Sequence, residues 1–265
     1  MKILIVGYGN MGKTYANGFI GSRFIKPEDI NVLVRNDFSG LETIIPKTNF
    51  TTVATKAIGD FDIVIIAVKP QDFGTLAQTI KPHLKDSQII FSVMAGITIS
   101  KIASELPCTK IVRSMPNIPT QIGMGMTVFT ASADVDRKEL FIIQNLINTT
   151  GKSVYVENEK LIDAATAISG SGPAYVFYFM QSMIKSAIDL GFNESEAELL
   201  VNQTFMGSVA IQNSYSLSNE EWIAKVASKG GTTERALQTF AKGNLEKIII
   251  DGVKAANDRA LELGS

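Results

Sequence analysis

The sequence predicts an α/β fold: a doubly wound sheet in the first part of the chain, then an all-helical C-terminal part. Three observations carry this. Apolar runs of strand length alternate with helical segments from Ile3 to Val156. A turn with three glycines follows the first run. From Glu157 the periodicity turns helical, with no convincing strand. The expected domains are 1–156 and 157–265.

Composition narrows the possibilities. A chain of 265 residues, 45% hydrophobic and 19% charged, can bury a sizeable core. Its net charge of −1 points to neither nucleic acid nor an anionic membrane surface as partner. Cys108 is the single cysteine, so no intrachain disulfide can form, and a reducing cytoplasm fits. It carries no motif around it, which reads as a packed or surface thiol. The longest apolar runs, such as Ile63 to Val68, have strand length and fall far short of a membrane span. The apolar N-terminus is short and runs straight into the glycine turn, so no secretory leader is expected. No metal site is expected.

The first strand, Ile3–Val6, leads into Gly7-Tyr8-Gly9-Asn10-Met11-Gly12 and a helix from Lys13 to Ile20. This is the G-x-G-x-x-G spacing of the Rossmann-type dinucleotide site. Gly7 allows a tight turn, Gly9 lets a pyrophosphate approach the backbone, and Gly12 lets helix and strand close up. The helix N-terminus offers N–H groups to the phosphates. A structural βα turn with no ligand is the alternative. The second strand, Ile30–Val34, ends in Arg35-Asn36. NAD sites place an acidic residue there to hold the ribose 2′-hydroxyl. A guanidinium and an amide suit a 2′-phosphate instead, which favours NADP(H) and leaves NADH open as a second donor. Asp37 follows one position later, and Arg35 could equally be a solvated loop charge.

Ile44-Ile45 with Phe50 to Val53 mark a short third strand. Asp62–Val68 is a near-continuous apolar strand, as expected when both sheet faces are covered. Pro70 stops it and opens a helix, leaving Lys69 at the carboxyl edge, where open α/β sheets bind ligands. Lys69 is a cleft candidate or a plain surface lysine. His83, the only histidine, lies in a polar turn and reads as solvated, which removes the commonest general acid. Gln88–Val93 is the next strand, followed by Met94-Ala95-Gly96-Ile97 and a short helix from Ile99 to Leu106. Lys110–Arg113 runs into Ser114-Met115-Pro116-Asn117-Ile118-Pro119, a rigid loop that holds the Asn117 amide in place. A strand at Gly125–Thr130, an amphipathic helix at Asp136–Thr149 and a last strand at Lys152–Val156 complete the sheet.

In the helical part, Leu161, Ile162, Ala164, Ala165 and Ile168 share one helix face. Ser169-Gly170-Ser171-Gly172-Pro173-Ala174-Tyr175 then opens a helix to Leu190 that is apolar nearly all round. Such a helix is buried on most sides. A small helical domain has difficulty covering it, so a homodimer is expected. Asn193 to Glu196 and Ser218 to Glu221 read as capping boxes, and a last helix runs from about Asn244 to Leu263. Ser228-Lys229-Gly230-Gly231-Thr232-Thr233 forms a nest of N–H groups and hydroxyls at a helix N-terminus, a second anion site suited to a substrate carboxylate. A threonine-capped glycine hinge is the alternative.

These residues together resemble pyrroline-5-carboxylate reductases over essentially the whole chain. The landmarks are the N-terminal glycine turn, Ala67-Val68-Lys69-Pro70, Met94-Ala95-Gly96, Arg113 to Asn117, Ser169 to Tyr175 and Gly230 to Thr233. The resemblance implies a Rossmann domain followed by an all-helical dimerisation domain, with interlocked dimers that can form a larger ring such as a decamer. It implies that Gly7, Gly9, Asn10, Met11, Gly12, Arg35, Asn36, Ala67, Val68, Lys69, Pro70, Ala95, Gly96 and Glu159 serve the cofactor. Ser228, Gly230, Gly231, Thr232, Thr233 and Asn117 would serve a cyclic imine carboxylate. Thr233 and Lys69 would be the catalytic candidates, with the Thr233 hydroxyl near the ring nitrogen and the partner protomer completing the pocket. The implied reaction is NADPH-dependent reduction of the C=N bond of 1-pyrroline-5-carboxylate to L-proline.

The chain departs from the family pattern at three places. Lys229 replaces a common proline, Gln212-Asn213-Ser214 lacks a common glutamate, and Ala54 replaces a common asparagine. Two rivals follow. β-Hydroxyacid dehydrogenases share the N-terminal motif, but they use a central-helix lysine followed one turn later by asparagine, whereas Lys185 here is followed by Asp189. A regulatory paralogue that binds NADP without turnover is the other.

Overall fold

The computed structural model describes every residue except Asp37, Leu41 and Ser265. The acidic residue noted after Asn36 therefore lies outside the described residues. Among them, eight strands form one sheet: β1 (Ile3–Val6), β2 (Ile30–Leu33), β3 (Phe50–Thr51), β4 (Ile63–Ile66), β5 (Ile89–Ser92), β6 (Ile111–Met115), β7 (Gly125–Ala131) and β8 (Gly151–Tyr155). Their order is β3-β2-β1-β4-β5-β6-β7-β8. The order reverses beside β1, between β2 and β4, and such a switch point opens a crevice at the carboxyl ends of the strands.

Strand alternation sends odd and even side chains to opposite faces. Ile3, Ile5, Phe91 and Phe129 pack under α1 (Asn10–Gly21) and α4 (Arg137–Asn148), joined by Tyr15, Phe19, Ile143 and Leu146. Leu4, Val6, Val64 and Ile66 face α2 (Phe73–Ile80) and α3 (Ile99–Glu105), with Phe73, Ile80 and Ile102. Both faces are covered, which is why the strands read as unbroken apolar runs.

One detail differs from the sequence expectation. Ile44-Ile45 is not strand, and β3 is only Phe50–Thr51. Pro46 and the 3-10 turn Lys47–Asn49 separate the two segments, and Ile45 enters the core instead. Within this doubly wound sheet one strand departs from the parallel majority: β7 runs antiparallel to β6. The link between them holds one short 3-10 turn, Ile118–Ile122, too short for the crossover that a parallel return requires. Helix α4 then provides such a crossover, and β8 pairs with β7 in parallel.

Contacts group Met1–Ser171 with the end of the last helix, from Ala256, as one unit and Gly172–Ala255 as another. The first unit ends in α5 (Lys160–Ala165) and a π turn, Thr166–Gly170. The second contains α6 (Gly172–Asp189), α7 (Glu194–Ser214), α8 (Asn219–Val226), α9 (Thr232–Lys242) and the start of α10 (Leu245–Gly264). Both expected capping boxes form. Asn193 accepts the Glu196 N–H at 3.0 Å, and Ser218 that of Glu221 at 3.2 Å.

Helix α6 is the apolar helix that a small helical domain was expected to leave uncovered, and none of its residues is buried within the chain. Phe177 and Tyr178 are 60% and 72% exposed. A contiguous apolar face of this kind marks an interaction surface.

Candidate functional site

The glycine turn has the shape its spacing predicts. Gly7 takes a φ of +92°, a conformation L side chains rarely adopt, and its N–H donates to the Leu33 carbonyl at 2.9 Å. A Cβ on Gly12 would stand 2.1 Å from the Gly7 carbonyl oxygen, so only glycine lets α1 close on β1. At Gly9 a Cβ would meet nothing within 4 Å. That open space lies over the N-terminus of α1, which no described side chain caps, so its first N–H groups remain available to an anion.

A cleft of about 880 Å³ opens here. Gly7 and Gly9 form its floor, Arg35 and Asn36 come from the end of β2, and Ala67, Val68 and Lys69 from the end of β4. Asn10, Met11 and Gly12 lie in the first turn of α1, and Pro70 opens a 3-10 turn to Asp72. Arg35 Nη1 lies 3.5 Å from Asp72 Oδ1, with both side chains open to solvent. Ala54 lines the same cleft. Ala95 and Gly96 follow β5, and Gly96 has a φ of +73°.

Glu159 is engaged from two sides. Its Oε1 accepts the Arg113 Nη1 at 3.0 Å and the Ile99 N–H at 2.8 Å. The Arg113 Nη2 donates to Asp163 at 2.6 Å, and its guanidinium is 1% exposed. Sequence reading took Arg113 only as a strand end and missed this network. Two signals were available: one arginine in an apolar strand, and carboxylates at 159 and 163 on one helix face. Asn117 is likewise engaged at both ends of its amide. It donates to the Ser169 carbonyl at 3.1 Å and accepts the Met126 N–H at 2.9 Å, tying the π turn to β7. The rigid loop thus holds the amide in place as its two prolines suggest.

The second anion site lies in the other unit. Gly230 takes a φ of +74°, Gly231 caps α9, and the Gly231 N–H donates to the Ser228 carbonyl at 2.9 Å. The Gly230 N–H donates to the Glu234 carboxylate at 2.7 Å, so the nest already shows a carboxylate at one of its amides. Thr232 is exposed and Thr233 half-buried, at the first two positions of α9.

Other reactive groups are structural. Burial, with a smaller contribution from Asp86, pushes the Cys108 thiol up to about 11, and it donates to the Lys85 carbonyl at 3.2 Å. His83 ends a 3-10 turn and does not line the cleft. Among the described residues no three His, Cys, Asp or Glu side chains could share a metal ion, and no helix is long and apolar enough to cross a membrane.

Comparison with known proteins covers the whole chain. Residues 159–263 match the pyrroline-5-carboxylate reductase dimerisation model, and residues 2–96 the model for NADP oxidoreductase, coenzyme F420-dependent. A pyrroline-5-carboxylate reductase of Staphylococcus aureus (strain COL) is 31% identical over 268 aligned positions, covering 100% of this chain and 98% of that one. The solved structure of a pyrroline-5-carboxylate reductase from Coxiella burnetii is 30% identical, with a TM-score of 0.91 over 100% of this chain and 98% of that one. A pyrroline carboxylate reductase from Plasmodium falciparum, solved with NADP bound, is 28% identical with a TM-score of 0.90, over 100% of this chain and 98% of that one.

Proposed function

This chain belongs to the pyrroline-5-carboxylate reductase family, and from that premise we infer that it reduces the C=N bond of 1-pyrroline-5-carboxylate to L-proline with NADPH, the last step of proline biosynthesis. The observation that carries this is similarity along the full chain, and two candidate anion sites of different kinds support it. One is built on a glycine turn for a dinucleotide, the other on a glycine nest for a carboxylate.

The cleft residues fit NADP(H). Gly7 and Gly12 allow the closed turn, and the open space at Gly9 admits a pyrophosphate against the backbone. Arg35 and Asn36 would hold the 2′-phosphate. Ala67, Val68, Lys69 and Pro70 would form the wall at the end of β4, with Ala95 and Gly96 beyond them. Lys69 adds a second cation to the cleft. Glu159 serves this region through the N-terminus of α3. When bound, NADPH supplies the hydride for the imine carbon.

The chain's own contribution is to position the substrate. Ser228, Gly230, Gly231 and Thr232 hold the substrate carboxylate. Thr233 hydrogen-bonds the ring nitrogen and steadies the developing amine. An imine nitrogen takes a proton readily, and its iminium form is already a good hydride acceptor. Strong side-chain acid catalysis is therefore not required, in keeping with the absence of histidine from the described cleft residues and with Gln212-Asn213-Ser214. Asn117 supports the substrate side by fixing the loop at Ser169.

The dimerisation model over residues 159–263 and the exposed apolar face of α6 make the working form an oligomer. We propose a homodimer whose second protomer completes the substrate pocket, with further assembly into a ring such as a decamer. The functional boundary lies at 156/157, and the setting is the cytoplasm, where NADPH is supplied and Cys108 stays reduced. The deciding experiment follows NADPH oxidation with pyrroline-5-carboxylate, set beside 3-hydroxy acids with NADP. Turnover of the imine alone is expected. Tight NADPH binding without imine turnover would overturn the reductase reading in favour of a regulatory paralogue.

A further inference from the structure

Among the described residues lining the dinucleotide cleft, Asp72 is the one carboxylate, and Arg35 and Lys69 are the cations. Asp72 and Arg35 come from opposite sides of β1, one following β4 and the other following β2, and their side chains meet at 3.5 Å. The pair is exposed, 79% at Arg35 and 39% at Asp72, so it is too weak to lock the guanidinium in place. Asp72 has no evident duty in the fold. It precedes α2 without a side-chain capping bond, and Arg35 is its one side-chain partner among the described residues.

We propose that Asp72 sets the cofactor preference of this site, moderating the choice of NADPH over NADH. The proposal rests on reading the cleft as the NADP(H) site. A 2′-phosphate carries close to two negative charges, and Arg35 is the cation at the end of β2 that would meet it. A carboxylate already on that guanidinium cancels part of its attraction and repels the phosphate. A 2′-hydroxyl pays no such penalty, and the carboxylate can accept its hydrogen bond. Without Asp72 the described lining residues carry two cations and no carboxylate, which favours the phosphorylated cofactor.

The test uses the full-length Asp72→Asn variant and titration calorimetry with adenosine 2′,5′-bisphosphate and with 5′-AMP. The bisphosphate should bind about tenfold more tightly than to the parent protein, more so at low salt, while 5′-AMP binds no better. The NADPH-to-NADH ratio of kcat/KM should rise with it. In Arg35→Ala protein the same Asp72→Asn change should lose most of its effect, because the cation it shields is gone. An unchanged bisphosphate-to-AMP ratio, in a variant that still binds both, overturns the role of Asp72. Failure of the parent protein to bind the bisphosphate at all overturns the cofactor reading beneath it.

Discussion

Arg113 and Glu159 are joined by a 3.0 Å hydrogen-bonded ion pair that ties β6 to the start of α5. The same Glu159 oxygen holds the first N–H of α3, the helix that follows Ala95-Gly96, and Arg113 reaches on to Asp163. One buried guanidinium thus fixes three segments, one of them the helix that follows Ala95-Gly96. Replacing Arg113 by Met leaves two carboxylates facing one another without their cation. The expected loss is about 3–5 kcal/mol of stability, the range for breaking a buried pair from one side. Urea unfolding at fixed protein concentration measures it, and a midpoint equal to the parent's would refute the structural role given to the pair.

The two outer glycines of the turn and the middle one should separate by experiment. Gly12→Ala forces a Cβ against the Gly7 carbonyl, so it should cost about 1–3 kcal/mol in fold stability and weaken NADP binding as well. Gly9→Ala meets no protein atom within 4 Å, so stability should stay within about 0.5 kcal/mol. Its methyl group would instead stand where the pyrophosphate approaches, and affinity for NADP should fall at least about tenfold. Calorimetric binding beside thermal unfolding distinguishes the two. Undiminished NADP affinity in Gly9→Ala would mean the phosphates lie elsewhere.

Much of this was legible in the sequence because it is encoded locally. The strand, glycine turn and helix at Ile3 to Ile20 are contiguous, and the two capping boxes each span four residues. What was not legible depends on pairs far apart in the chain. Arg113 reads as an ordinary strand residue until the fold brings it to Glu159 and Asp163, 46 and 50 positions away. Asn117 reads as an amide held in place, but its partners at Ser169 and Met126 show only in the fold. The antiparallel direction of β7 could not be read because strand direction follows from connection length, not from residue type. The need of α6 for a partner was legible, because its all-round apolar pattern exceeds what a small helical domain can cover, and none of its residues is buried within the chain.

Cys108 should make itself felt only at high pH. Below about 9, its ordinary value, the thiol is protonated in folded and unfolded chains alike. Between about 9 and about 11 the unfolded chain has released the proton while the folded one retains it. The unfolded state then binds fewer protons, so stability falls as pH rises through that window. Buried Tyr15, whose hydroxyl is also pushed up by desolvation, pulls the same way at still higher pH. Cys108→Ala removes the thiol's share, so its urea midpoint should decline less between about pH 8 and about pH 10 than the parent's. Equal declines would show that the thiol is not shielded. Maleimide labelling of the folded parent near neutral pH should accordingly be slow.

Thr233 is where stability and catalysis should part most clearly. It sits at the second position of α9, half-buried, and among the described residues its hydroxyl has no hydrogen-bond partner. Removing that hydroxyl therefore breaks nothing in the fold, and alanine is the better helix former by up to about 0.7 kcal/mol. Thr233→Ala should unfold at the same temperature as the parent or slightly higher. If the hydroxyl steadies the ring nitrogen as hydride arrives, kcat/KM for the imine should fall about 10–100-fold, the worth of one well-placed hydrogen bond. Thr233→Ser, which keeps the hydroxyl, should recover most of it. The division between kcat and KM then identifies the step. A fall mainly in kcat marks a bond made in the transition state, and a rise mainly in KM marks one that only seats the substrate. Unchanged turnover in the alanine variant would remove Thr233 from the mechanism and leave the glycine nest to act through the carboxylate alone.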